Sequence, residues 1–333
     1  MLNEKVSIIM PACNAEKTID RAINSIVCQN YENIELIIVN NGSTDKTAEI
    51  IKKYEKILKG KIKNIYTEIP NVSNARNIGI DNSTGKYLVF IDADDEFEKD
   101  YLEKMVLKLE ETNSEMVTCA YKTVYNKKIW DLKEYEKIEN TKNLKEYLEI
   151  LKENYLFNQL WNKIYKTEIV KQNNIYFDKN YELGEDLIFN IDYIKKIKTA
   201  SYINDALYVY TDGSNGLNLK YREDKFKIEY ELTKKLEEFY KEKKYSLEYI
   251  YNRFARVYYN GILNIYNPNN KKTKKEKNAC LREFINTKKY KDDLEFLKEK
   301  VTDRKFKIAI KYFFTKGVLP IKIFVILNNL RRK

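Results

Sequence analysis

"LVFIDADDEF", residues 88–97, runs four apolar residues straight into Asp92, Asp94, Asp95 and Glu96. Like charges that close each raise the cost of ionising the next, so a metal ion, a lysine or arginine, or plain water is expected among them. The apolar half reads as a buried strand, and the chain before it repeats the pattern. Val6 to Met10 is an apolar run ended by Pro11, followed by Ile19, Ala22, Ile23, Ile26 and Val27 at helical spacing. Leu36 to Val39 is a second run, stopped by Asn40-Asn41-Gly42-Ser43, with Ser43 or Thr44 placed to cap a helix carrying Ala48, Ile51 and Leu58. A third strand around Ile65 to Thr67 leads to Ser73, a cap for a short helix through Ile78, and Tyr87 to Ile91 is the fourth strand. Strands alternating with helices predict an α/β, doubly wound sheet. Ligands bind such sheets beyond the carboxyl ends of the strands, where Pro11 to Asn14, Asn40 to Ser43 and Asp92 to Glu96 fall on one edge.

From about residue 116 the pattern loosens into strands at Met116 to Tyr121 and Ala206 to Tyr210, with a helix from about Asp186 to Lys195. From about 220 the text is helical and rich in Lys, Glu and Tyr. A boundary at the Asp212-Gly213-Ser214-Asn215-Gly216 turn gives a domain at 1–216 and a helical C-terminal region at 217–333.

The 333 residues carry a net charge of +11, but residues 301–333 hold nine Lys or Arg against one acid, Asp303. The rest is near balance, which argues against nucleic acid as a partner and for a basic tail facing an anionic surface. Histidine is absent, so zinc hydrolases, Ser-His-Asp triads and imidazole proton shuttles are excluded. Cys13, Cys28, Cys119 and Cys280 show no C-x-x-C spacing and lie in apolar contexts, which reads as buried reduced thiols and a cytoplasmic setting. With no apolar leader after Met1 and no run of 18 apolar residues, the expectation is a protein neither secreted nor membrane-spanning.

Asp92-Ala93-Asp94 suits a hard divalent cation, Mg2+ or Mn2+, which takes oxygen ligands and is completed by the oxygens of a diphosphate. Two carboxylates two residues apart can converge on one ion while Ala93 lets backbone approach a ligand. The plainer alternative is a solvated acidic loop or a helix start. With no histidine, proton abstraction falls to a carboxylate, and Glu185-Asp186, opening a helix with Leu187, Ile191 and Ile194 after Gly184, is the candidate. The positive end of the helix dipole would keep both ionised near neutral pH. Trp161 offers a flat face of the kind sugars pack against, or else a core side chain.

Five stretches carry a resemblance: "VSIIMPACN" (6–14), "IIVNNGSTD" (37–45), "VSNARNIGI" (72–80), "FIDADDEF" (90–97), and "WNKIYKTEIV" with "LGEDLIFN" (161–170, 183–190). In this order and at these spacings the chain, over roughly residues 5–215, resembles a family 2 glycosyltransferase of the GT-A fold, which implies a doubly wound mixed sheet, here followed by the C-terminal helical region. The resemblance implies inverting transfer of a sugar from a nucleotide-diphosphate donor, a UDP-sugar first among them, to a hydroxyl of a glycan or lipid-linked acceptor in bacterial surface glycan synthesis. It makes Asp94 the metal ligand and sets Asp92 by the ribose or the ion. Pro11, Ala12, Cys13, Asn14 and Ala93 would line the donor site. Arg76 would face the base, Asp186 would be the base catalyst, and Glu185 and Trp161 would lie on the acceptor side. Asn40 and Asn41 replace the family's common pair of aspartates; the Asn41 amide oxygen can still accept a base N–H, without the charge. Cys13 stands where an aromatic often stacks on the base. The alternatives are a metal-dependent nucleotidyltransferase, which would usually show a glycine-rich phosphate loop that Pro11-Ala12-Cys13-Asn14 is not, and a catalytically silent nucleotide-sugar-binding scaffold.

In the tail, Phe306, Ala309, Ile310 and Phe313 share one helical face, while Lys307 and Lys311 lie away from it. Ile321 to Leu327 is apolar except for Lys322, and Arg331-Arg332-Lys333 follows. Such a tail suits an anionic interface, where each nearby basic residue contributes on the order of 1 kcal/mol. Peripheral attachment to the inner face of the cell membrane would hold the active site near a lipid-linked acceptor; the alternative is a terminal helix packed on its own domain.

Overall fold

The computed structural model describes residues 3–58, 60–125, 128–132, 144–153, 156–181, 183–211 and 221–330. The chain divides into two compact units, Met1–Ser214 and Asn215–Lys333. The Asp212 to Gly216 turn lies outside the described residues.

In the first unit, β1 (Val6–Ala12), β2 (Ile34–Asn41), β3 (Ile62–Thr67) and β4 (Tyr87–Phe90) alternate with α1 (Ile19–Val27), α2 (Thr47–Ile57) and α3 (Val72–Asn82). β1 is buried along its whole length and β2 along all but its first residue, which is why both read as unbroken apolar runs. β2 and β4 pair in parallel on either side of β1, and β3 pairs in parallel beyond β2. The chain continues through β5 (Glu96–Phe97), α4 (Tyr101–Thr112), β6 (Met116–Tyr125), β7 (Lys128–Leu132), α5 (Leu144–Glu153), β8 (Lys163–Lys166), α6 (Thr167–Gln172), α7 (Glu185–Ile194) and β9 (Ser201–Thr211). Among the described residues the sheet order is 3-2-1-4-8-6-9-5, with β7 paired to β6. β8 lies antiparallel between β4 and β6, so the doubly wound sheet is mixed rather than parallel throughout.

Alternate residues of β1 serve opposite layers. Ile8 and Met10 join α1 and α4 in one core through Ile19, Ile23, Tyr101 and Met105. Ile9 faces α3, where a Cβ placed on Gly79 would lie 2.4 Å from the Ile9 Cγ2. Glycine there lets α3 settle onto β1, and Arg76 sits three residues before it on the same helix.

Three local expectations are corrected. Helix α2 begins at Thr47, not at Ser43 or Thr44, and the Asp45 carboxylate accepts its first N–H at 3.0 Å. Helix α3 is capped by Asn71, whose Oδ1 accepts from the Asn74 N–H at 2.8 Å, leaving Ser73 inside the helix. An Asx side chain reaches these amides at least as well as Ser. Cys13 and Cys28 are exposed, while Cys119 is buried and Cys280 half-buried: Cys13 lies in the turn after β1 and Cys28 caps the end of α1, so apolar neighbours in sequence did not carry them inward.

The second unit is helical: α8 (Lys225–Glu242), α9 (Glu248–Ile265), α10 (Lys274–Asn286), α11 (Lys288–Lys300), α12 (Arg304–Tyr312) and α13 (Val318–Leu330). α9 packs against α8, α10, α11 and α12, and the Asp293 carboxylate accepts from the buried Tyr230 and Tyr258 hydroxyls at 2.7 and 2.6 Å. Phe306, Ala309 and Ile310 are buried, with Phe306 set edge-on to Tyr259. The face of α12 expected to meet a membrane is therefore part of this unit's core, because α9 presents an apolar surface for it.

Gly79→Ala separates propensity from packing. Alanine favours a helix by about 1 kcal/mol, but forcing a methyl against the β-branched Ile9 costs about 1–3 kcal/mol. The expected result is a lower denaturant midpoint with an unchanged slope; a raised midpoint would show that Ile9 gives way freely.

Candidate active site

The connections from β1 lead away to β2 on one side and, after β3, back to β4 on the other. That reversal opens a crevice at the carboxyl ends of β1 and β4. Pro11 and Ala12 are buried in its floor, and Cys13 and Asn14 are exposed at its lip. Asn14 takes a left-handed backbone, φ 49°, which Asn tolerates better than most residues. Its N–H donates to the Ser43 Oγ at 3.1 Å, and its side-chain oxygen accepts from the Thr44 N–H at 2.9 Å. The two turns after β1 and β2 are thus laced together. Next to them, Asn41 Oδ1 accepts from the Asn71 N–H at 2.9 Å. The amide oxygen expected to accept from a base is already engaged, and the other end of the side chain is an NH2 donor.

After β4 the carboxylates separate. Asp95 is buried, and it accepts from the Tyr208 hydroxyl at 2.6 Å and the Thr211 N–H at 2.7 Å. Its carboxyl is pushed well up by burial and by the charges of Asp92 and Asp94; it ties the end of β4 to β9 and is a structural member of the cluster. Asp92 accepts from the Arg76 Nη2 at 3.2 Å. The Asp94 residue opens to solvent, its carbonyl accepts from Arg21 at 2.6 Å, and its carboxylate makes no ion pair among the described residues. Crowding by neighbouring atoms and the adjacent Asp92 charge raise its pKa. So the opening question has four answers: Arg76 for Asp92, neutral donors for Asp95, Arg21 for Glu96 at 2.9 Å, and for the Asp94 carboxylate no ion pair among the described residues, only the nearby charge of Arg21. Ala93 is buried between them.

Arg76 corrects a second expectation. Its buried guanidinium is engaged by carboxylates: Nη1 donates to Glu185 at 3.0 Å and to Asp186 at 2.7 Å, while Nη2 holds Asp92. The ring of Phe177 lies 5.4 Å from the guanidinium carbon. One cation on α3 joins the end of β4 to the first turn of α7. Asp186 departs from expectation as well. Burial lifts its carboxyl to about 7, Arg76 pulls the other way, and Glu185 and Asp92 add to the rise. Desolvation outweighs the helix dipole, so Asp186 is half-ionised near neutrality rather than fully ionised.

Trp161 is only 8% exposed. Its indole stacks on Tyr208 at 4.2 Å and Tyr210 at 5.7 Å and takes the edge of Tyr121 at 4.9 Å, so it is a core side chain and no open platform. Two participants were missed in the sequence. Lys163 on β8 is fully buried, donating to the Leu156 carbonyl at 2.8 Å and the Asn162 side chain at 3.1 Å as well as to the Gln159 carbonyl. Burial drives its pKa down to about 7, and its charge lowers that of Asp186. Tyr208 was the other, and a lysine between Asn162 and Ile164 in a short strand was the available signal for the first.

The profile of the family described as "Glycosyl transferase family 2" matches residues 7–173. Among curated relatives, the chain is 30% identical over 226 residues to "Glycosyltransferase GlyA" of Streptococcus pneumoniae serotype 4, covering 63% of this chain and 31% of the relative. It is 28% identical over 215 residues to "Uncharacterized glycosyltransferase EpsJ" of Bacillus subtilis, covering 64% and 62%. The chain therefore spans less than two thirds of either relative. Among solved structures, S. aureus TarS 1-349 superposes with a TM-score of 0.69 at 23% identity, covering 98% of this chain and 91% of that one; the fold is of the same, GT-A type. On the profile match, carried by the strands that build this crevice, the chain belongs to glycosyl transferase family 2.

Proposed function

We propose that this chain is an inverting glycosyltransferase moving a sugar from a nucleotide-diphosphate donor, a UDP-sugar first among the candidates, to a hydroxyl of a glycan or lipid-linked acceptor in surface glycan synthesis. Family membership supports the reaction class. The structures of TarS, a poly(ribitol-phosphate) beta-N-acetylglucosaminyltransferase, in complex with UDP and with UDP-GlcNAc support the donor class. The observation that carries the reading is the meeting of Asp186 and Asp92 on the one buried guanidinium of Arg76, which joins the first turn of α7 to the end of β4 while burial raises the Asp186 carboxyl.

In this reading Asp186 takes the proton of the acceptor hydroxyl as its oxygen bonds to the anomeric carbon from the face opposite the leaving group. The bond from that carbon to the diphosphate oxygen breaks, and the nucleoside diphosphate leaves with the electron pair. Arg76 keeps Asp186 aimed and Glu185 beside it. Among the described residues no group of three or more Asp, Glu, Cys or His side chains forms a metal cage. The exposed Asp94 carboxylate, which makes no ion pair among the described residues, and the second oxygen of Asp92 fit a hard cation that draws its remaining ligands from the donor and water. Mn2+ or Mg2+ held there would supply countercharge to the leaving diphosphate. We place the reaction in the cytoplasm, at the inner face of the membrane.

Two measurements test this. UDP-sugar turnover should need a divalent cation, and Asp94→Asn should lower it by roughly two orders of magnitude; full activity in excess chelator removes the metal from the reading. Asp186→Asn should leave UDP affinity nearly unchanged and abolish transfer, since a base acts in the transition state. In the wild type, Asp186 can accept a proton only when ionised, so kcat should fall as pH drops through about 7. A rate flat from pH 5 to 8 would show that Asp186 is not the base, and donor binding with neither hydrolysis nor transfer would leave a silent scaffold.

A further inference from the structure

Helix α13 is apolar on both sides. Ile321 and Val325 are buried, and Phe324 packs edge-on against Tyr259 and Phe314 at 5.0 and 5.1 Å. The opposite face presents Leu319, Ile323, Ile326 and Leu327, exposed by 69, 46, 59 and 48%, at the i, i+4, i+7, i+8 spacing of one helical stripe. A helix apolar all round is normally buried all round, and a run of four large exposed aliphatics marks a surface that something covers. α12 adds Ile308 and Tyr312 to the exposed residues, alongside Lys307 and Lys311.

The surrounding charge selects the occupant. From residue 304 to 333 there are nine Lys or Arg and no acid. A second copy meeting this face by two-fold symmetry would set like charges against like. At 13 residues α13 is too short to span a bilayer, and no described helix is long and apolar enough to cross one. Aliphatics in a segment whose only charges are Lys and Arg match the boundary of an anionic bilayer, where the stripe sinks among the acyl chains and the ammonium groups stay at the phosphates.

We propose that the outward face of α13, Leu319, Ile323, Ile326 and Leu327, with Lys311, Lys316 and Lys322, is a docking surface for anionic lipid bilayers. This replaces the buried α12 face with a different one. It stands apart from the sugar-transfer reading, because lipid binding is measured without donor or acceptor. The test is co-sedimentation of the full chain with vesicles of phosphatidylcholine alone or mixed with phosphatidylglycerol, at low and high salt. The wild type should pellet with the mixed vesicles at low salt and much less at high salt. Ile323→Asp with Ile326→Asp should abolish pelleting while leaving the thermal midpoint and UDP binding unchanged, since both positions are exposed. Lys316→Gln with Lys322→Gln should weaken it at least tenfold, on the order of fivefold for each charge removed. The proposal is overturned if the wild type ignores phosphatidylglycerol, if the isoleucine pair binds as well as wild type, or if sedimentation velocity shows a dimer that this pair dissociates without any vesicle binding by the wild type.

Discussion

One buried guanidinium meets three carboxylates, and the order of the first unit's polar edge follows from that meeting. Removing an arginine from water is costly unless its donors are met, and a planar fork can meet several at once. Arg76 does so through its two terminal nitrogens with Asp92, Glu185 and Asp186, drawn from the exit of β4 and the start of α7, while its buried Nε has no hydrogen-bond partner among the described residues. One positive charge against three negative ones leaves an excess, and that excess has two consequences. It adds to the burial that lifts the Asp186 carboxyl to about 7 despite direct contact with a cation. It also leaves the Asp92–Asp94 end short of positive charge, which is where a cation and a diphosphate would be chemically complementary.

The fold delivers those charges by ordinary packing. α3 lies close on β1 because Gly79 has no side chain to hold it off Ile9, so Arg76 reaches the cluster from one layer. β8 inserts antiparallel beside β4 and leads through α6 to α7, whose Phe189 packs on Phe90, the strand partner of Ile9, so the Glu185–Asp186 turn arrives on the same face. Lys163, on that same strand, is a buried amine whose donors are met by two carbonyls and an amide. It fixes the backbone from Leu156 to Asn162, and with it the aromatic pile of Trp161 on Tyr208.

The sequence showed the first half of this sheet well, because parallel strands covered on both faces must be apolar throughout and so stand out as runs. It did not show β5, β7 or β8. These are short and antiparallel, and Lys163–Lys166 reads as charged text although its first three residues are buried. At the site, residue types were legible and orientations were not. A motif match could name Arg76 but could not say that its fork turns inward to carboxylates, nor that the Asn41 oxygen is already bonded to the Asn71 N–H. The sequence left Trp161 open between a sugar platform and a core side chain because the two tyrosines that cover it come from β9, about 47 residues later in the chain. The ionisation of Asp186 depended on burial, which a local dipole argument cannot see.

The tail shows the same limit from another side. Helical periodicity in residues 306–313 correctly marked an apolar face, but periodicity says only that a face leaves water, not what receives it. α9 receives that one. In α13 the aliphatics run all round, so periodicity gave no direction, and only the packing of Ile321, Phe324 and Val325 reveals which half is left over. Charge then distinguishes what the apolar pattern could not. Exposed isoleucines in an acidic segment would suit a basic protein partner; in a segment whose charges are all Lys or Arg they suit a surface that is both oily and negative. For an enzyme whose acceptor is held on a lipid, such a surface would restrict enzyme and acceptor to one plane and raise their effective concentration without adding any contact at the catalytic centre.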